Sequence, residues 1–596
     1  MSLLLVASIL PLLIGPLLVR LLKPAPWAHA ALDAFVLVSI GGLALLDILP
    51  ECFEVGGWLA VAGAFFGLTA PTWAERTVQS AHGSLWLRPI LAVALLALLA
   101  HATIDGVALT GAKVQEAHAQ ALAVAVIVHR VPVGLSLWWF VRSKLGLRAA
   151  VLTLGVELCG TLIGFFFGDF ATRGSSSQAL AIFQALVAGS LLHVIVGHSH
   201  EPEPSAHPRV GRIASAVGGL IAVGFLVAIH HLHPAAHEHE SSPAFVTAFL
   251  DLAYASALPL LVAYGVVAVA SALIPRFPTH VLSGGSALSQ ALRGVGLGMP
   301  TTICTCGVLP PQQRKVVAAA PPAAAVAFIV AASSLGLAAV LLSFRLLGWR
   351  VSLMRVAAAA VLALLAGLWS GRLVANVHAP ATEHPAPHPD DNPAFLQRLL
   401  TGLRFAFGET LDHTAPWFLM GLALAAFAQT YLRPEWVAAL PPGLDVVVAA
   451  LFGVPTYVCA SGATPLAAVL MGKGVSPGAM IAFLLSGPAT TLAMFGTPAE
   501  VYGRRVVVLL GVGIVVVSTA AGYAANHLLS ASPVPSEVLA SQAHRGAVET
   551  VALILLSLAV LASLFRQGVR GFVQRVAVSP PVSGDAPQHD HAHSHG

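Results

Sequence analysis

The chain has 596 residues, 57% of them hydrophobic and only 9% charged, with a formal net charge of +4. That composition excludes a soluble globular protein and gives nucleic-acid binding no support. The many apolar runs long enough to cross a hydrocarbon core predict an all-α polytopic membrane protein whose first partner is the lipid bilayer. Residues 1–22 lack a basic start and a small-residue cleavage site, so they read as a retained first helix.

Apolar runs at about 2–22, 31–50, 57–73, 88–111, 119–141, 149–169, 178–197 and 210–229 predict eight helices. Arg20, Lys23, Arg76, Arg88, Arg142, Lys144, Arg148, Arg209 and Arg212 fall in alternate loops, while the other loops hold only Lys113 and Arg173. The positive-inside rule then places both ends of this half outside the cytoplasm. The fourth run carries His101, Asp105 and Gly106; a spacing of four puts imidazole and carboxylate on one helix face. The fifth carries His129, Arg130 and Pro132. An ionisable side chain in mid-membrane costs roughly 2.5–3.5 kcal/mol on insertion scales, so His101, Asp105 and His129 are candidate metal ligands. The plainer alternative is a structural pair of Asp105 with Arg130 or a histidine.

Eight helices, His101-x-x-x-Asp105-Gly106 on the fourth and His129 with Pro132 on the fifth resemble the ZIP family of zinc and iron transporters. The resemblance implies a ZIP-like eight-helix bundle. Ala102, Arg130 and Val133 stand where that family has asparagine, glutamate and histidine, which implies a degraded metal site that gates, scaffolds or binds one metal weakly. Histidines cluster at His230–His239 and again at His589, His591, His593 and His595. Such tracts bind zinc, copper or nickel loosely, or are merely solvated.

From about 245 a new pattern starts, with helices expected to reach 274 and near 316–343, 352–374, 414–431, 475–496, 504–528 and 547–566. Two further segments, 282–313 and 444–471, contain matching breaks: Pro300, Cys304, Gly307 and Pro310 recur as Pro455, Cys459, Gly462 and Pro465 at a constant offset of 155 residues. The same offset pairs Pro322 with Pro477 and Phe328 with Phe483, so this half is an internal repeat. Proline and glycine inside an apolar segment free backbone groups that lipid cannot satisfy, which is tolerated only in a protein-lined interior. Repeated broken helices point to a transporter's substrate site. Arg314 and Lys315 before the helix at 316–343, and Arg345, Arg350 and Arg355 after it, leave the orientation of the repeats open.

Cys304 and Cys306 converge only in an unwound backbone, and repeat symmetry would bring Cys459 to face them. Three sulfurs at one point form a soft-ligand site selecting copper(I), zinc or trivalent arsenic or antimony. The alternatives are small apolar filling or a redox disulfide. Gly307, Pro310, Gly462, Thr464 and Pro465 complete the expected substrate site, and Asp251, Glu409, Asp412 and His413 are candidate proton carriers.

This half, over roughly 245–570, resembles the permease family that includes organoarsenical efflux permeases and proteins assigned to copper and zinc efflux. The residues that carry the resemblance are Cys304-Thr-Cys306-Gly307, Pro310, the run from Thr456 to Pro465, Lys473 to Gly478, and Ser486 to Thr491. The domains read as 1–232 ZIP-like, 233–244 a histidine-rich linker, 245–376 the first permease repeat, 377–394 a proline- and histidine-rich linker, 395–570 the second repeat and 571–596 a disordered histidine-rich tail. No nucleotide-binding motif is present and no cofactor is expected. The expectation is a multi-pass permease of the bacterial inner membrane, not an enzyme, that exports a thiophilic metal or metalloid by secondary transport. A homo-oligomer is compatible with it. The alternatives are divalent-metal uptake through the first half and a membrane thiol redox or metal-sensor protein.

Overall fold

The computed structural model describes residues 3–21, 26–80, 117–171, 177–197, 208–232, 241–273, 284–299, 320–373, 395–456, 459–490, 503–529 and 546–577, with Leu282 and parts of 95–109. It has no strand among the described residues, and nine of the described helices are long and apolar enough to cross a membrane. The protein is therefore an all-α polytopic membrane protein. The chain divides into two compact units, one of Met1–Val246 with Leu564–Ala577 and the other of Thr247–Ser563 with Val578–Gly596.

In the first unit the helices are α1 (Leu3–Leu21), α2 (Pro26–Leu43), α3 (Leu49–Ser80), α4 (Ala117–Ala171), α5 (Ser177–Gly197) and α6 (Pro208–Leu232). Ala44–Ile48 forms a π turn between α2 and α3. At 1.5 Å per residue, α4 would run about 80 Å if straight, more than twice the hydrocarbon thickness. It turns at Gly146, where φ is 85°, a left-handed backbone that side-chain-bearing residues avoid. Exposed Leu145, Leu147 and Arg148 flank the turn, so the two predicted helices at 119–141 and 149–169 meet here. Gly57 kinks α3 in the same manner, with φ 60°.

Packing in this unit rests on small residues. α3 lies along α5, α2 along α6 and α1 along α4. A Cβ on Gly67 would collide with the Leu186 carbonyl, and one on Gly189 with the Ala64 carbonyl. Such close backbone approach is how helices associate where lipid removes the hydrophobic drive. A larger core gathers Ala34, Leu37, Ile40, Leu135, Trp138 and Val569.

Val569 comes from the far end of the chain. The last helix, Ala547–Ala577, kinks at Gly568, where φ is 74°. The predicted end at 566 is thus eleven residues short, and the expected disordered tail at 571 begins as helix. Two features hold the added segment. The Val569 amide donates to Ser215 Oγ at 3.0 Å, and Arg570 grips Asp33 bidentately through Nε and Nη2, the latter at 2.6 Å.

The second unit contains α7 (Ser241–Leu273), α8 (Ala287–Gly298), α9 (Pro322–Leu335), α10 (Leu337–Leu346), α11 (Gly348–Leu373), α12 (Phe395–Arg404), α13 (Leu411–Tyr431), α14 (Leu444–Thr456), α15 (Ala460–Gly472), α16 (Pro477–Ala489), α17 (Arg504–Leu529) and the start of α18 (Ala547–Ala577). The repeat seen in sequence recurs in the packing. α8 packs on α9 and α9 on α11; at the same offset α14 packs on α16 and α16 on α17. Individual contacts repeat as well. A Cβ on Gly298 would lie 2.8 Å from the Phe328 carbonyl oxygen, and one on Gly453 would lie 3.2 Å from that of Phe483. A Cβ on Gly367 would lie 2.6 Å from the Ala323 carbonyl oxygen, and one on Gly522 would lie 2.6 Å from that of Gly478.

α9 and α16 are apolar all round and buried along nearly their whole length, as helices at the centre of a bundle must be. The run predicted as one helix at 316–343 is split: α9 stops at Leu335, Gly336 adopts extended backbone, and α10 restarts at Leu337. α16 ends at Ala489, within one residue of the equivalent register. Ser333-Ser334 and Gly336 weaken the helix where α9 gives way.

Two expectations follow from this packing. Gly298→Ala and Gly453→Ala should each destabilise the protein by about 1–3 kcal/mol through overpacking, read as a lowered thermal midpoint in detergent. Arg570→Ala should cost about 1–3 kcal/mol and Arg570→Lys should recover little of it, since an ammonium cannot reproduce the two-pronged grip.

Candidate functional site

The second copy of the broken segment is described from Cys459 onward, whereas Cys304, Cys306, Gly307 and Pro310 lie outside the described residues. α14 ends at Thr456 and α15 begins at Ala460, so the segment 444–471 is two helices with the break where the repeated motif predicts it. Cys459 is the residue that opens the second. Its backbone is extended and its Sγ accepts the Gly462 amide at 3.2 Å, the position a serine or aspartate cap ordinarily fills. The sulfur also lies 3.1 Å from Ser461 Oγ, and the residue is only 4% exposed. It therefore sits at the positive end of a helix dipole.

Gly462, Thr464 and Pro465 follow on α15, each with a different task. Gly462 admits the neighbouring helix: a Cβ there would lie 2.7 Å from the Trp417 carbonyl, and Gly421 on α13 approaches its main chain just as closely. Pro465 has no amide, which leaves the Ser461 carbonyl without its helical donor. Thr464 is fully buried and donates to the Ala460 carbonyl at 2.6 Å. Its oxygen accepts from Arg355 Nη1 at 2.9 Å.

Arg355 is the residue that the sequence reading misplaced. Counted there among the flanking charges after 343, it lies inside α11 and is 1% exposed, whereas Arg345 and Arg350 are exposed. Trp349 and Arg350 mark the end of α11, with the guanidinium 5.3 Å from the indole ring. Arg355 stands roughly 10 Å further along the helix at 1.5 Å per residue. Besides Thr464, its Nη1 donates to Ser343 Oγ and, at 3.4 Å, to the Ala339 carbonyl. Burying a cation costs several kcal/mol even after relaxation, so such a residue is retained for a reason. A buried arginine inside an apolar run was the available signal.

The next helix is sealed by protein groups. Ser476 caps α16 through Ala479, Asn526 Oδ1 accepts the Gly478 amide at 2.7 Å, and Asp445 Oδ2 accepts that of Ser476 at 3.1 Å. The four candidate proton carriers occupy varied settings. Asp251 on α7 and Asp412 on α13 are half-buried, while Glu409, in the π turn Phe405–Thr410, and His413 are exposed.

In the first unit His101 Nε2 is 3.9 Å from Asp105 Oδ2, so the predicted pair shares a face. The same Oδ2 is 3.3 Å from Arg130 Nη2, and Arg130 is fully buried. The cation thus faces the carboxylate expected to hold metal. Glycines bring this segment onto α4, where Gly106 meets the Thr161 carbonyl and Gly164 that of Thr103. Glu157, one turn before Thr161 and fully buried, is an acid the sequence reading passed over. The side chain of His129, those of His230 and His231, the rest of that histidine cluster and the tail histidines lie outside the described residues. No group of three or more His, Cys, Asp or Glu side chains is placed to hold a metal ion among the described residues.

Searches of curated proteins and of solved structures found no match to the chain. Residues 244–527 match the ArsP_1 family, described as a predicted permease, and this span covers α7 to α17. The likeness points to a membrane permease, with the broken helices inside the matched region.

Proposed function

We propose that this protein is a secondary permease of the bacterial inner membrane that exports a thiophilic metal or metalloid ion, copper, zinc or trivalent or organic arsenic. The observation that carries the reading is Cys459, a buried sulfur opening a helix within the permease-like span. Thiolate donors select soft ions over magnesium or calcium. The recurrence of the glycine contacts at the repeat offset supports an equivalent place for the Cys304–Cys306 segment, so that the three sulfurs share one cargo site with Gly307, Pro310, Gly462, Thr464 and Pro465 around it. Asp251, Glu409, Asp412 and His413 are then the groups through which a proton gradient would drive export.

The ZIP-like first half serves as scaffold or gate in this reading. Arg130 facing Asp105 supports that role, because a fixed cation at the carboxylate repels a divalent ion.

Metal accumulation in cells stripped of their own efflux systems tests the reading. Cells carrying the gene, challenged with arsenite, a methylated arsenical, copper, zinc or antimonite, should hold less of one of these than cells without it. Cys304→Ser, Cys306→Ser and Cys459→Ser should each return accumulation to the level of cells without the gene. Export that survives all three substitutions overturns the cysteine site, and raised accumulation abolished by His101→Ala establishes uptake instead. The Asp105–Arg130 pair gives a separate expectation. Arg130→Met alone should cost about 3–5 kcal/mol by stranding a buried charge, while Arg130→Met with Asp105→Leu should recover most of that stability and leave export intact.

A further inference from the structure

Two buried side chains of the second unit carry donor atoms that find no acceptor among the described residues. Arg355 Nε and Nη2 have no hydrogen-bond partner among the described residues, and neither does Ser334 Oγ; both side chains are 1% exposed. A serine in a helix ordinarily donates to the carbonyl four residues back. Ser334 stands two residues before Gly336, where α9 stops, and Arg355 reaches the Ala339 carbonyl in the first turn of α10, just past that stop. The amides that open α10 lack helical partners of their own, so the split adds main-chain donors and the positive end of a dipole. What this collection lacks among the described residues is an acceptor. No carboxylate pairs with Arg355 among the described residues.

We propose that Arg355 and the split between α9 and α10 form a binding site for an anionic oxygen group, a carboxylate or a tetrahedral oxyacid, carried by a small molecule. Nε and Nη2 make up one edge of the guanidinium plane, the edge that meets two oxygens of one such group in parallel. Nη1 is already engaged. Ser343 donates its own proton to the Ala339 carbonyl and Thr464 donates to that of Ala460, so both hydroxyl oxygens face Nη1 as acceptors and fix the direction of the vacant edge. The site is single in spite of the repeat, because Leu510 and Leu309 occupy the positions equivalent to Arg355 and Thr464. It does not rest on the cysteine reading, since none of its donors is a thiol.

The test is an anion titration of the full-length protein in lipid nanodiscs, in a zwitterionic buffer without added salt, followed by calorimetry and thermal unfolding. Acetate represents a carboxylate on an organic cargo, inorganic phosphate a free oxyacid, and chloride the control. One saturable site is expected, and whichever of acetate and phosphate binds more tightly assigns the source. Arg355→Leu, which copies the equivalent residue of the other repeat, should weaken binding by about tenfold or more, as loss of a charged hydrogen-bond donor does. Thr464→Val, which removes one of the three acceptors that hold Nη1 but keeps the charge, should weaken it severalfold, and Arg350→Leu, at an exposed cation near the start of α11, should leave the titration unchanged. Absence of saturable binding, chloride binding as tightly as either oxyanion, or unchanged binding in Arg355→Leu overturns the proposal. Should Arg355→Leu fail to fold, unchanged binding in Thr464→Val overturns it equally.

Discussion

A helix that stops inside a bilayer leaves amides and carbonyls that lipid cannot satisfy, and the second unit is arranged to meet that constraint. Four of the described helix starts find their answer within the protein. At α15 a cysteine sulfur accepts the Gly462 amide; at α16 a serine, an asparagine and an aspartate from two other helices do so. At α8 Ser286 accepts from Ser289. α9 starts at Pro322, whose missing amide removes one of the orphans, and Ser370 donates to the Pro322 carbonyl at 3.0 Å. Because the stops must be covered by protein, the helices that carry them are driven to the centre, which is why α9 and α16 are buried nearly end to end.

The repeat supplies symmetry of backbone and asymmetry of chemistry. Glycine contacts such as Gly367 with Ala323 and Gly522 with Gly478 survive in both copies, since each sets how closely two helices approach. The polar side chains are not copied in this way. Arg355 from the first copy meets Thr464 from the second, each opposite a leucine in the equivalent place. Duplication thus provides a frame in which two helices of different origin converge on one spot, and single substitutions differentiate that spot.

Much of the architecture was legible in the sequence because its signals are periodic or discrete. Length and apolarity of the runs located the crossings, and an ungapped offset located the repeat together with the break before α15. The site was legible in part. Cys459, Gly462, Thr464 and Pro465 were marked by the repeated motif, but a motif does not say which of them packs and which faces a ligand. Gly462 serves close approach, whereas Thr464 holds the guanidinium. Arg355 was counted with the flanking charges because it lies near the edge of an apolar run; its place a full turn and more past the true start of α11 at Gly348, and its burial, set it apart from them. The split at Gly336 was missed because serine and one glycine are weak punctuation beside proline.

Among the described residues the chain passes from one unit to the other twice, within α7 after Val246 and within the last helix after Ser563. The last helix begins in the second unit and, past Ser563, ends in the first, where Arg570 grips Asp33 and Val569 enters the core. The polypeptide is therefore tethered at both ends of the permease-like region. A gene fragment encoding only the amino-terminal half would make a bundle whose Asp33 and Ser215 had lost their covering strap.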